Sequence, residues 1–82
     1  TARAAIAALR ARQGKVDEAK VLIDEVLKEN PKDDKALMLK GRIAMQEKDY
    51  TEAVAAFRSV LKDQPDSVEV LTLLAAAHQA SA

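Results

Sequence analysis

The feature that most limits how this chain can fold is a sequence repeat with a period of 34 residues. Segment 15–31, KVDEAKVLIDEVLKENP, returns without a gap as segment 49–65, DYTEAVAAFRSVLKDQP. The identical residues at equivalent places are Glu18 and Glu52, Ala19 and Ala53, Val26 and Val60, Leu27 and Leu61, Lys28 and Lys62, Pro31 and Pro65, Leu37 and Leu71, and Leu39 and Leu73. A fixed period of this length predicts stacked helix-turn-helix units.

The composition restricts both the core and the partners of the chain. Its 82 residues are 49% hydrophobic but only 2% aromatic, which favours close-packed helices over strands. Lys and Arg total 13, as do Asp and Glu, so no net charge draws the chain to nucleic acid or to an anionic membrane. No apolar run approaches the roughly 18 residues of a membrane span, so we expect no membrane insertion. The absence of Cys excludes thiol nucleophiles, zinc ribbons and redox pairs, and it leaves the compartment undecided.

Hydrophobic periodicity predicts an all-α fold with five helices, at residues 2–13, 16–29, 34–47, 50–62 and 67–80. The apolar stripe of the second helix comprises Ala19, Leu22, Ile23, Val26 and Leu27, and that of the fourth comprises Ala53, Ala56, Phe57, Val60 and Leu61. The first helix is expected to place Ala5, Ile6, Leu9 and Gln13 along one side.

Several residues are predicted to begin or end these helices. Gly14 stops the first helix, and Pro31 and Pro65 follow the ends of the second and fourth. The predicted N-terminal caps are Asp33 or Asp34, the capping box of Asp49 with Glu52, and the capping box of Asp66 with Glu69.

The 34-residue repeats of this chain resemble the tetratricopeptide repeat family. Its signature places a large residue, Leu-Gly and Tyr on a first helix, then Ala, Phe and a closing Pro. The central repeat reads Leu37, Lys40-Gly41, Ala44, Ala53, Phe57 and Pro65, the first reads Arg3, Ile6-Ala7, Arg10, Ala19, Ile23 and Pro31, and the third stops after Leu71, Leu74-Ala75 and His78. The departures from the family pattern are Lys40, Arg3 and Arg10.

The resemblance implies a right-handed superhelical solenoid of antiparallel helix pairs in one domain, residues 1–82. Repeat 1 would cover 1–33, repeat 2 would cover 34–67, and a partial repeat 3 would cover 68–82. We expect the chain to be a piece of a longer array. The composition style is similar to that of repeat arrays in bacterial envelope and polysaccharide-export proteins, a periplasmic or envelope setting, although cytoplasmic scaffolds share it.

The resemblance also implies a non-enzymatic scaffold that binds a peptide or helix of a partner on a concave face formed by the first helices. By position this face comprises Ala4, Ala8, Ala11, Arg12, Lys35, Met38, Arg42, Met45, Gln46, Glu69, Thr72, Ala76 and Gln79. Adaptable Met side chains beside the planar fork of Arg42 suit an apolar segment with an acidic group. An alternative is that Met38 and Met45 only pack between neighbouring helices.

Two further expectations concern partners. The Lys, Asn and Arg cluster with which chaperone-tail binders of the family grip a C-terminal carboxylate is absent, because its positions hold Ala4, Ala8, Leu39, Glu69 and Leu73. The alternative function is self-association as a homo-oligomer through Val70, Leu73 and Leu74 of the fifth helix, which no later helix of this chain covers.

No pattern of residues predicts a catalytic, cofactor or metal site. His78 is the only His, and Ser81 near it lacks a third partner for nucleophilic catalysis. The acidic residues Asp33, Asp34 and Asp66 lack the spacing of a calcium loop and are explained as helix starts. Gly14 and Gly41 are isolated, so there is no phosphate-binding loop.

Overall fold

A computed structural model describes residues 2–81, with side chains from residue 5 onward, as five antiparallel α-helices joined by short turns. They are α1 Ala2–Arg12, α2 Val16–Glu29, α3 Asp34–Gln46, α4 Tyr50–Asp63 and α5 Val68–Ser81. The prediction of an all-α fold is confirmed for these residues, and each predicted helix ends within one residue of its observed bounds. The expected roles of Arg3 and Ala4 concern side chains outside those described.

The turn after α1 and the turn after α3 have the same backbone conformation. Gly14 after α1 and Lys48 after α3 both have a positive φ, 81° and 64°. The next amide in each turn reaches back to the helix, from Lys15 to the carbonyl of Arg10 and from Asp49 to the carbonyl of Ala44, both at 2.8 Å. A left-handed residue with this long return bond is a common way to satisfy the last carbonyls of a helix. The period in sequence is therefore also a period in backbone conformation.

Side-chain oxygens cap the starts of three helices. The carboxylate of Asp33 accepts a hydrogen bond from the amide of Ala36 at 3.1 Å, and Asp49 accepts one from Glu52 at 3.4 Å. The carboxylate of Glu52 does not return to Asp49 but pairs with Lys40 at 2.9 Å, so the predicted capping box is half formed. Lys40 thus extends outward to an ion pair at the place where the family prefers Leu.

The predicted capping box of Asp66 and Glu69 is wrong. The hydroxyl of Ser67 accepts from the amide of Val70 at 3.4 Å, because α5 begins at Val68 and Ser67 is the residue immediately before it. Glu69 instead forms a contact with α3.

Two clusters of buried side chains form the core, and α3 contributes to both. The first cluster contains Ala7, Ala19, Ile23, Val26, Ala36 and Ile43. The second cluster contains Leu37, Ala44, Ala53, Phe57, Val60, Val70 and Ala77. Because α3 has apolar residues on two sides, it packs against α2 on one side and α4 on the other.

The predicted apolar side of α1 is wrong. Ala7 is fully buried, whereas Ile6 and Leu9 are 44% and 51% exposed. Gln13 lies beyond the end of α1 and is exposed. The close packing of α1 on α2 selects the small side chain of Ala7 rather than the larger ones beside it.

Helices α3 and α4 pack closely at Gly41. A Cβ atom at this position would lie 2.4 Å from a ring carbon of Phe57, whose side chain is fully buried. The equivalent residues one repeat earlier are Ala7 and Ile23, both buried in the first cluster. The two repeats therefore fill the same place with different pairs, Gly with an aromatic ring and Ala with an aliphatic side chain.

Gly41→Ala is expected to lower the free energy of unfolding by about 1–2 kcal/mol, because overpacking the Phe57 ring outweighs the gain of about 1 kcal/mol in helix propensity. Urea denaturation followed by circular dichroism measures the change. The double variant Gly41→Ala with Phe57→Ile reproduces the Ala7 and Ile23 pair and should recover part of the loss. A Gly41→Ala chain as stable as wild type would show that the ring can move aside.

Candidate functional site

A groove of about 450 Å³ runs between α1, α3 and α5. We call this the groove, and the residues that line it are Ala5, Ala8, Asp34, Lys35, Met38, Leu39, Arg42, Val60, Gln64, Ser67, Glu69 and Val70. First helices of successive repeats supply most of the walls, while the end of α4 and the turn after it supply the rest. The groove combines an apolar floor with charged residues.

One side of α3 supplies three of the side chains that line the groove. Lys35, Met38 and Arg42 stand at spacings of three and four residues, which places them in a row on the helix surface. Met38 is half-buried and packs against the second cluster, whereas Lys35 and Arg42 are exposed. An unbranched thioether between two cations can adapt its shape to an apolar ligand group.

An ion pair joins the two walls of the groove. The guanidinium of Arg42 donates to the carboxylate of Glu69 on α5 at 3.1 Å. Both side chains are more than half exposed, at 56% and 63%. An exposed pair of this kind contributes only about 0–1 kcal/mol. Replacing Arg42 or Glu69 is therefore expected to change the free energy of unfolding only slightly.

Asp34 forms a second contact across the groove. Its Oδ2 accepts a hydrogen bond from the side-chain amide of Gln64 at 2.6 Å. Its Oδ1 is buried and has no hydrogen-bond partner among the described residues. Burial is the main cause of a raised pKa of Asp34; the hydrogen bond from Gln64 opposes it, and the neighbouring carboxyl of Asp63 adds to it. Asp34 is thus a poorly solvated carboxyl at the edge of the groove.

The predicted concave residues separate into two groups. Lys35, Met38 and Arg42 line the groove, together with Ala8 and Glu69. The residues that do not line it are Ala11, Arg12, Met45, Gln46, Thr72, Ala76 and Gln79. Met45 packs against the second cluster, as the alternative interpretation had it, while Met38 both packs and lines the groove.

The residues expected to support self-association lie within the fold. Val70 is buried and lines the groove, and Leu73 and Leu74 are half-buried against the second cluster. The exposed large apolar residues of α5 are Val68 and Leu71.

Sequence reasoning missed Asp34, Gln64 and Ser67 as groove residues. Gln64 and Ser67 belong to the turn between repeats, which the concave-face pattern does not include. The polar residues between Asp63 and Val68 were the sequence signal that could have placed this turn in the groove.

A second depression, of about 320 Å³, lies between α2, α3 and α4. It contains two ion pairs, Lys20 with Glu47 and Lys40 with Glu52. The hydrogen bond to Glu47 raises the pKa of Lys20. Asp24 and Asp49 also line this depression, so four carboxylates face two ammonium groups there. We take the groove as the candidate binding site because first helices of successive repeats form most of its walls.

Among residues 2–81 no helix is long and apolar enough to cross a membrane. No group of three or more His, Cys, Asp or Glu side chains in the described part of the chain is arranged to hold a metal ion.

The repeated helix pairs define this chain as a helical-repeat protein of the solenoid class. A family model for the tetratricopeptide repeat matches residues 2–68, and the chain belongs to that family. Comparisons with curated proteins and with solved structures find no match. Tetratricopeptide repeats generally mediate protein–protein interaction, and the family is typically non-enzymatic.

Asp34→Asn is expected to raise the thermal unfolding midpoint at neutral pH. Because the pKa of Asp34 is raised on folding, its contribution to stability is fully present below the reference value of 3.8 and is lost as pH rises through the folded pKa. Asn resembles the protonated acid and keeps an acceptor for Gln64. The gain should therefore shrink as pH falls through the raised pKa of folded Asp34 and should be smallest below 3.8.

Thermal melts of wild type and variant at neutral and acid pH measure this effect. Asp66→Asn makes the same charge change in an exposed turn and is the matched control. An Asp34→Asn chain that melts below wild type at neutral pH would contradict the explanation by burial.

Proposed function

We propose that this chain is a non-enzymatic interaction scaffold that binds a peptide or helix of a partner protein in the groove. The observation that supports the proposal best is the row of Lys35, Met38 and Arg42 along one wall. A half-buried apolar side chain with a cation on either side suits a segment that has an apolar residue next to an acidic one.

The ion pair of Arg42 with Glu69 can be exchanged for an ion pair of Arg42 with a ligand. A ligand carboxylate can replace Glu69 on the guanidinium, where the planar fork offers two parallel hydrogen bonds. The displaced Glu69 is already more than half exposed and returns to water. Because an exposed pair contributes little to the fold, this exchange does not require α5 to unfold.

The charges of the groove favour recognition by position rather than by net attraction. Lys35 and Arg42 are balanced by Asp34 and Glu69. No long-range field of one sign is present, so a ligand is selected by where its own charges meet these four. An acidic group beside Arg42 is favoured, and one beside Asp34 is not.

Met38→Glu is expected to weaken binding of groove ligands at least about ten-fold, because a charge replaces the central apolar contact. The probes are peptides selected by the wild-type chain from a random library displayed on phage, with affinities measured by fluorescence anisotropy. Val21→Glu is the matched control, because Val21 is an exposed apolar residue of α2 outside the groove.

Met38 also packs on the core, so Arg42→Glu provides a second variant with an exposed side chain. It should lose peptides that contain an acidic residue. If the selected peptides bind Met38→Glu and Arg42→Glu as tightly as they bind the wild type, the groove is not the binding surface.

Glu69→Gln is expected to strengthen binding of acidic peptides about two- to five-fold, because Arg42 no longer has an internal partner to give up. The same peptides with their acidic residue replaced by the amide should bind wild type and variant equally. Calorimetric titration of both peptide forms measures the difference. An equal gain for acidic and amide peptides would show that Glu69 acts in some other way than through Arg42.

Self-association is the second candidate function. Val68 and Leu71 of α5 are 74% and 45% exposed, and Ile6 and Leu9 of α1 are exposed at the other end of the chain. Large apolar side chains left at the ends of a repeat stack are suited to contact between copies.

A further inference from the structure

Two cations of the groove stand seven residues apart on α3. Lys35 and Arg42 therefore lie on the same side of the helix, about 10 Å apart along its axis. Met38 lies between them and is half-buried against the second cluster, while both cations are exposed. Within two turns α3 thus presents a cation, an apolar side chain and a second cation.

The two cations differ in what they already contact. Arg42 pairs with Glu69 at 3.1 Å. Lys35 forms no ion pair with any other described residue, and the carboxylate next to it in sequence, that of Asp34, accepts a hydrogen bond from Gln64 instead. A ligand acid can meet Lys35 without displacing a side chain, whereas an acid at Arg42 has to replace Glu69. A ligand with an acid at each cation therefore adds one ion pair to the complex, not two.

The walls of the groove suit a helical ligand better than an extended one. They consist of helices and the turn after α4, and no described residue belongs to a strand whose edge could pair with an extended ligand. A helix satisfies its own backbone hydrogen bonds and needs only side-chain contacts with the walls. The α1 wall carries the small side chains of Ala5 and Ala8, which let another helix approach closely.

We propose that the groove binds an amphipathic helix of a partner protein that carries two acidic residues seven positions apart and an apolar residue three or four positions after the first. On a helix these three residues lie on one side, as Lys35, Met38 and Arg42 do on α3. The inference rests on the function proposed above and adds to it the conformation of the ligand and a second acid, at Lys35.

The competing ligand is an extended segment with the same residue types. A strand rises about 3.3 Å per residue, so its two acids reach both cations when they stand three positions apart. In a helix three positions rise only about 4.5 Å, whereas seven rise about 10 Å. The spacing of the two acids that gives the tighter binding therefore reports the conformation of the bound ligand.

The test uses two Ala-based synthetic peptides of equal length and composition, each with two Glu and one Leu. The first peptide has its Glu residues seven positions apart and Leu four positions after the first Glu; the second has them three positions apart with Leu between. Fluorescence anisotropy with the full chain should show the first peptide binding at least about five-fold more tightly. A Pro in place of the Ala after Leu should weaken the first peptide at least about ten-fold, because it breaks the helix.

Double-mutant cycles assign each acid to its cation. Lys35→Gln and Arg42→Gln should each weaken the first peptide about two- to five-fold. Each loss should disappear when one Glu of the peptide is replaced by Gln, and the Glu concerned should differ between the two variants. Lys62→Gln is the matched control and should leave the affinity unchanged, because Lys62 is an exposed residue of α4 that does not line the groove.

Failure of this inference can be told apart from failure of the proposed function. If the second peptide binds as tightly as the first, or the Pro form keeps its affinity, the helical ligand is wrong, and the groove remains the binding surface as long as Met38→Glu weakens binding. The same holds if neither peptide binds but the phage-selected peptides do and lose affinity in Met38→Glu. Peptides that bind Met38→Glu and wild type equally, or no binding of any peptide, would overturn both.

Discussion

The contact of the Phe57 ring with the bare backbone of Gly41 is the constraint on which the arrangement of the helices depends. The ring is fully buried and leaves no room for a Cβ atom, so α3 and α4 approach as closely as the ring allows. Ala36 and Ile43 of α3 lie in the first cluster together with residues of α2. The contact at Gly41 fixes where α3 lies, and it therefore also affects where α2 packs. The third side of α3 is left for Lys35, Met38 and Arg42. The groove is thus a result of packing α3 on two sides.

The helices could be predicted from the sequence because two independent signals coincide. Apolar spacing in α2 and α4 matches a helical period, and Gly14, Pro31 and Pro65 mark where helices stop. The side of α1 that is buried could not be predicted, because an Ala-rich helix has little contrast between its sides. The cap of α5 was misassigned for a similar reason: Asp66 and Ser67 are adjacent capping residues, and only the observed first residue of the helix decides between them.

The site was predictable where its residues belong to one helix. Spacing alone places Lys35, Met38 and Arg42 on one side of α3, and these line the groove. The contacts that complete it join residues far apart in sequence, Arg42 to Glu69 and Asp34 to Gln64. Their pairing depends on how α3, α4 and α5 are stacked, which periodicity does not describe. Thr72 and Ala76 miss the groove although they stand 34 residues after Met38 and Arg42, because no helix follows α5 among the described residues.

The ion pair between Arg42 and Glu69 has a consequence for the ionic-strength dependence of binding. A ligand carboxylate that replaces Glu69 forms one ion pair while another opens, so the number of ion pairs does not change. Salt screens the pair that is lost as well as the pair that is formed. Affinity for an acidic partner would then vary little between dilute and concentrated salt, in contrast to the steep dependence expected of an uncompensated cationic surface. Such a groove would recognise its partner similarly in compartments of very different salt content.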